Sequence, residues 1–108
     1  MAYKQTPEGA VLSACCEYLE YNKYFFFRTN NGAIFDPTRG IHRAFPKWCV
    51  KGVSDLILLY RGKTYFLEVK SLEGKQSEDQ KKFQANVEAN GCPYHIIRSS
   101  DDLIKLGF

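Results

Sequence analysis

Residues 53–70 read Val-Ser-Asp-Leu-Ile-Leu-Leu-Tyr-Arg-Gly-Lys-Thr-Tyr-Phe-Leu-Glu-Val-Lys. Two runs of strand-favouring residues, 53–60 and 64–70, flank Arg61-Gly62, and the pattern predicts a β-hairpin with a two-residue turn. Tyr60 then faces Lys63, and counting back from that pair places Asp55 opposite Glu68. Side chains alternate along a strand, so Asp55, Ile57 and Leu59 share one face with Thr64, Phe66, Glu68 and Lys70. Two carboxylates and an ammonium converge at the open end of the hairpin.

Outward from the hairpin, the rest of the chain alternates helix and strand signals. Thr6-Pro7-Glu8 predicts a helix start, with Thr6 as N-cap and Pro7 at the first helical position, where a missing N–H costs nothing. Val11, Leu12, Cys15, Tyr18 and Leu19 recur at helical spacing and mark a buried face that runs to about residue 22, with Glu8 at its inner end. Tyr24-Phe25-Phe26-Phe27 predicts the first strand. Residues 33–51 contain Pro37, Gly40 and Pro46 without sustained periodicity and read as a long loop, a feature that in a compact domain is usually functional or disordered. Ser77 with Gln80 forms a capping-box pattern for a second helix that Gly91 closes. A short strand follows at 94–97, and Asp101 or Asp102 is expected to cap a final helical turn through Leu106. The expected fold class is α/β: a mixed four-stranded sheet flanked by helices, in the order αβββαβ plus a short C-terminal helix. At 108 residues the chain suits one domain, 1–108, around one core.

Composition narrows the class. Hydrophobic residues at 44% and charged residues at 25% suit a folded domain rather than a disordered segment. No apolar run approaches the roughly 20 residues that span a bilayer, and residues 1–5 lack the apolar stretch of a signal peptide, so no membrane partner and a cytoplasmic location are expected. Cys15, Cys16, Cys49 and Cys92 contain no C-x-x-C pair and read as free thiols; neighbours on a helix, Cys15 and Cys16 diverge by about 100°. The net charge is only +3, but Arg28, Arg39, Arg43, Lys47 and Lys51 fall in one segment against the single acid Asp36. That segment leads into Gly52, so its cations emerge beside the carboxylates and suit phosphate contacts without sequence readout.

Facing carboxylates repel each other in a plain hairpin. A hard divalent cation such as Mg²⁺ balances them best, taking oxygen ligands from one or two carboxylates with phosphate oxygens and water completing the set. The backbone carbonyl of Val69 points sideways from the same strand and offers another ligand. Lys70 can orient or help deprotonate an attacking water and offset charge on a scissile phosphate. These are the parts phosphodiester hydrolysis requires. The competing reading is an edge strand with an ordinary solvated Glu68–Lys70 pair; the apolar residues 56–59, Phe66 and Leu67 instead make the hairpin central, where charges need a reason.

Gly52-Val53-Ser54-Asp55 and Glu68-Val69-Lys70 resemble the G-x-x-D and E-x-K elements of PD-(D/E)XK nucleases, specifically the VRR-NUC (virus-type replication-repair nuclease) group in its stand-alone phage and bacterial form. Lys51-Gly52-Val53, Glu8, the Ser77–Gln80 segment and Arg98–Leu103 are similar to further elements of that family, so the resemblance covers nearly the whole chain. One departure is Ser54, where many members have proline. The resemblance implies a restriction-endonuclease-like core in which Asp55, Glu68 and the Val69 carbonyl bind Mg²⁺ or Mn²⁺, Lys70 assists the attacking water, Glu8 helps at a metal-linked position and Gln80 completes the pocket. Gln80 also fits as a capping residue and Glu8 as a first-turn acid favoured by the helix dipole. No small-molecule cofactor is implied.

The implied activity is a metal-dependent, structure-selective DNA endonuclease of the Holliday-junction resolvase kind, in a bacterial cell or phage-infected host. Larger relatives carry the domain in Fanconi-associated DNA repair nucleases. Symmetric cutting of a four-way junction requires two active sites, so a homodimer is expected; Tyr18, Tyr21 and Ile34 are candidates for its interface or for the core. Alternatives are a flap or nicking nuclease on the same fold and a non-catalytic DNA-binding module. His42, Phe45 and Trp48 are candidates to stack on a distorted base, although Trp48 reads more naturally as a loop anchor on the core. His42 and His95 lack a second histidine at metal-ligand spacing, which favours ordinary surface or strand roles.

Overall fold

The computed structural model describes residues 6–29, 34–36, 41–43 and 46–108, with the backbone alone for 34–36 and 41–43. Thr6 caps the first helix, α1 (Pro7–Tyr21), by accepting a hydrogen bond from the Gly9 N–H at 3.0 Å, with Pro7 where its missing donor costs nothing. Cys15 and Leu19 are fully buried on its inner face, and Val11, Leu12, Cys16 and Tyr18 pack around them. Strand β1 (Phe25–Arg28) begins one residue later than the aromatic run suggests.

The segment expected to be a loop contains a second, two-stranded sheet. β2 (Ile34–Asp36) pairs antiparallel with β3 (Ile41–Arg43). Strands of three residues are too short to display alternation, which is why the sequence pattern concealed them.

The central hairpin has the anticipated register. β4 (Leu56–Tyr60) pairs antiparallel with β5 (Lys63–Val69), with Tyr60 opposite Lys63, Ile57 opposite Phe66 and Leu56 opposite Leu67. Arg61 and Gly62 both have positive φ, 49° and 80°, as a two-residue turn matching the strand twist requires. The Arg61 guanidinium lies 5.0 Å from the centre of the Tyr60 ring.

Helix α2 (Glu78–Ala89) supplies the crossover that lets β6 (Tyr94–Ile97) pair parallel to β5, with Phe66 opposite Tyr94 and Glu68 opposite Ile96. The main sheet therefore has the mixed order β1-β4-β5-β6, an α/β fold with four strands flanked by helices. The last helix, α3 (Ser100–Lys105), differs in its cap. Ser99 occupies the N-cap position, and Asp102 instead accepts the Arg98 N–H at 2.8 Å.

One sheet face carries Leu56, Leu58, Leu67, Val69 and Ile97 against Cys15 and Leu19 of α1 and Leu103 of α3. On the other, Phe66 meets Phe83 of α2 edge-on at 5.6 Å, and Phe83 lies 6.2 Å from Tyr94. Phe25, Phe27 and Leu59 belong to this second face, by their pairing with Leu59 and Ile57, and are exposed. Among the described residues no helix is long and apolar enough to cross a membrane.

The turn end of the hairpin is closed by Phe108. Its ring packs edge-on against Tyr65, Tyr24 and Tyr60 at 4.9, 5.6 and 6.0 Å, and its main-chain oxygen accepts hydrogen bonds from Tyr18 and Tyr24 at 2.8 and 2.9 Å. Tyr18 is therefore committed to the fold, whereas Tyr21 is exposed. Trp48 does not anchor its loop on the core; it is 86% exposed.

Phe108→Ala leaves both tyrosine hydrogen bonds intact, because they end on the main chain. For a half-buried ring, roughly half of the ~3–5 kcal/mol for a fully buried phenylalanine should be lost, about 2 kcal/mol. Urea unfolding should show a lower midpoint with an unchanged slope; an unchanged midpoint would remove the aromatic cluster from the account of stability.

Candidate metal centre

Asp55 stands just before β4 and is held from three sides. Its main-chain carbonyl accepts the Thr29 N–H at 3.0 Å, the Thr29 hydroxyl donates to the Ser54 carbonyl, and the buried Ser54 hydroxyl donates to the Leu56 carbonyl at 3.2 Å. Ser54 at the usual proline position thus adds a hydrogen bond rather than leaving a gap. The Asp55 side chain then crosses to β5, where Oδ2 accepts the Val69 N–H at 2.8 Å. A strand residue directs its N–H and C=O to the same side, so the Val69 carbonyl also faces the Asp55 side of β5.

Glu68 is 1% exposed and sits on the α2 face of β5. Gln80 Nε2 donates to its Oε1 at 3.3 Å, and the Tyr94 hydroxyl donates to its Oε2 at 3.3 Å. Gln80 meanwhile accepts the Ser77 N–H at 2.8 Å through Oε1 and receives the Ser77 hydroxyl oxygen on its own N–H at 3.2 Å. Both sequence readings of Gln80 therefore hold at once: one end of its amide caps α2 and the other touches Glu68.

Lys70 is 8% exposed, and its Nζ lies 3.6 Å from Glu8 Oε1. Glu8 comes from the first turn of α1, which places an acid where the helix dipole favours it. Glu8, Asp55 and Glu68 each offer a carboxylate oxygen, and the three atoms lie within 4.8 Å of one another.

The electrostatics of this cluster are dominated by burial. Glu68 is pushed up from 4.5 to about 9, first by desolvation, then by a hydrogen bond with the Asp55 carboxyl and by its charge; Lys70 and the Tyr94 hydroxyl pull the other way. Without a cation, Glu68 is protonated at neutral pH and shares a hydrogen bond with Asp55. The donor set is all oxygen and acidic, which fits a hard divalent ion such as Mg²⁺ or Mn²⁺.

Three supports were not visible in the motifs. Tyr94 is fixed over Glu68 by Gln76, whose Nε2 donates to the Tyr94 oxygen at 3.2 Å and to Gln84 Oε1 at 2.9 Å. Arg98 Nη1 donates to the carbonyls of Ser71, Leu72 and Gly74 at 2.6, 3.2 and 2.9 Å, holding the loop that follows Lys70. Gly52 has φ 77°, and a Cβ on it would stand 2.4 Å from the Asp79 carbonyl and 2.6 Å from the Gln80 nitrogen. The motif glycine thus permits the loop before Asp55 to touch the start of α2. The signal for it was the G-x-x-D spacing itself; Tyr94 required the parallel β5–β6 register.

Of the basic residues, Arg28, Lys47 and Lys51 are exposed, while Arg39 and the side chain of Arg43 lie outside the described residues, as do Phe45 and the side chains of Ile34 and His42. His95 is half-buried on β6, where desolvation lowers its pKa, and is not part of the carboxylate cluster. Cys15 is buried in the core, where desolvation pushes its thiol up to about 11, and Cys49 is exposed.

A family model described as the VRR-NUC domain matches residues 6–101. No curated protein and no solved structure gives a significant match.

The raised Glu68 value fixes the sign of a pH dependence. The folded chain binds this proton more tightly than the unfolded one, so its contribution to stability is complete below about 4.5 and is lost as pH rises toward about 9. In chelator, the melting temperature of the wild type should fall across that window relative to Glu68→Gln, which has no proton to lose. Parallel curves for the two proteins would show that Glu68 is not held protonated.

Proposed function

The chain belongs to the VRR-NUC family of nuclease domains, and on that premise we propose that it is a Mg²⁺- or Mn²⁺-dependent, structure-selective DNA endonuclease that acts on four-way junctions as a homodimer. The observation that carries the reading is the cluster of three carboxylate oxygens within 4.8 Å beside the buried Lys70. Asp55, Glu68 and the Val69 carbonyl would hold the ion, with Glu8 at the cluster's open side. Bound there, a divalent ion supplies Lewis acidity toward the scissile phosphate and lowers the pKa of water.

The chain's own groups do the rest. Lys70, held against Glu8, directs its ammonium toward the attacked phosphate and offsets the charge that builds in the transition state. Gln80 and Tyr94 fix the two oxygens of Glu68, so the ligand does not reorganise during the reaction. Val69 orients Asp55 through its N–H. Arg28, Lys47 and Lys51, together with Arg39 and Arg43, neutralise backbone phosphates without reading bases.

Symmetric cleavage needs two such sites related by a two-fold axis. The exposed strip of Phe25, Phe27 and Leu59, on the sheet face beyond α2, supports a second copy as the partner that covers it.

Asp55→Ala and Lys70→Ala should each lower cleavage of a four-way junction by at least about 10²-fold while the fold and DNA binding persist. Chelator should stop the wild type, and Mg²⁺ or Mn²⁺ but not Ca²⁺ should restore it. Full activity in either variant, or cutting in chelator, would sink the mechanism; flap cutting without paired junction cuts would move the substrate to flaps. Phe25→Asp should sediment as a monomer and lose paired incisions while retaining single nicks. A wild type that sediments as a monomer would rule out the dimer.

A further inference from the structure

We infer that Trp48 is a stacking platform for an unpaired nucleobase of the DNA strand that approaches the metal centre. The inference deepens the nuclease reading by adding a place where the strand leaves the duplex stack. Trp48 is the only tryptophan of the chain and is 86% exposed. Its backbone explains why it cannot fold inward. The Cys49 N–H donates to the Pro46 carbonyl at 3.1 Å, which makes 46–49 a turn, and Trp48 has φ 77° at the third position, where glycine is the favoured residue. The chain thus places its bulkiest aromatic ring at a position that repels side chains, and the ring points outward. The other two non-glycine residues with positive φ, Lys23 and Arg61, are a lysine and an arginine whose long polar chains suit an exposed turn. An apolar ring in that position calls for an occupant.

The surroundings identify its chemistry. Among the described residues, the ring's one aromatic or cationic contact is with Lys47, whose Nζ stands 4.8 Å from its centre. Residues 46–54 contain Lys47 and Lys51 and no acid, so the ring lies between two exposed cations. Cations interleaved with an aromatic face suit a single strand, with phosphates on the lysines and a base on the ring. A second copy of this chain would need a matching acidic surface.

The turn also belongs to the approach to the centre. It leads through Gly52, packed on the backbone of Asp79 and Gln80, to Asp55. Seven residues of extended chain reach at most about 25 Å. A base on Trp48 therefore lies within about seven nucleotides of the phosphate at Asp55, counting 3.4 Å per step.

Because the chain has one tryptophan, its emission reports this ring alone. Full-length protein in chelator is titrated with an oligothymidylate and with a blunt duplex of equal length, following tryptophan emission and, in parallel, anisotropy of the labelled DNA. We expect saturable quenching that tracks binding of the single strand and little quenching by the duplex. Trp48→Phe should bind the single strand within about threefold of wild type, and Trp48→Ala about tenfold more weakly, with duplex affinity unchanged in both. Emission unchanged at saturation, equal affinities for the Phe and Ala variants, no DNA binding, or emission that follows protein concentration without DNA would each overturn the inference, the last by assigning the ring to contact between copies. Junction cleavage with Mg²⁺ is measured on the same samples. A chain that stacks but does not cut retains this inference and loses the nuclease reading, and a chain that cuts with Trp48 unmoved does the reverse.

Discussion

Two carboxylates enclosed at the end of a hydrophobic hairpin set the terms for everything around them. Asp55 and Glu68 are brought together by the β4–β5 register, and Glu68 retains almost no contact with solvent. An unbalanced pair of this kind is costly in a medium of low polarity. Without a cation the solution is a proton on Glu68; with one, the same oxygens form an acidic cradle for a hard ion. Lys70, Gln80 and Tyr94 come from three different elements and all address this charge.

The hairpin also explains the division of labour along the molecule. Its turn end is closed by aromatic rings around Phe108, and its open end carries ionisable groups. Helix α1 runs from one to the other, with Glu8 beside Lys70 and Tyr18 beside Phe108. Packing at one end leaves the other free to gather charge, because the core on the α1 face is complete without those residues. Arg98 serves the charged end from the far side of the sheet, bonding the carbonyls of the loop after Lys70.

The sequence was most informative where local rules act alone. A two-residue turn determines a register, so the Asp55–Glu68 relation could be deduced before any coordinates; Ser77 and Gln80 stated their capping box openly, and the amide's second contact was compatible with it. Features that depend on distant partners were hidden. Tyr94 reaches Glu68 only because α2 returns the chain parallel to β5, and no periodicity reveals that pairing in advance. β2 and β3 were too short to show a pattern. Trp48 was misjudged by a rule that is usually sound: large apolar rings tend inward, but a positive φ in a tight turn overrides the tendency. Phe108 gave no sign of its role, since its partners come from α1, the residue before β1, and both hairpin strands.

Gly52 has a consequence for how the parts communicate. Its Cα stands so close to the backbone of Asp79 and Gln80 that no side chain fits between them. There is no slack at this junction: a displacement of the loop carrying Trp48 is a displacement of the first turn of α2, and Gln80 in that turn touches a carboxylate of the metal cradle. Occupancy of the loop and occupancy of the cradle are then thermodynamically linked. Linkage is reciprocal, so by whatever factor a strand lying on the loop alters the hold on the ion, the ion alters the hold on the strand by the same factor.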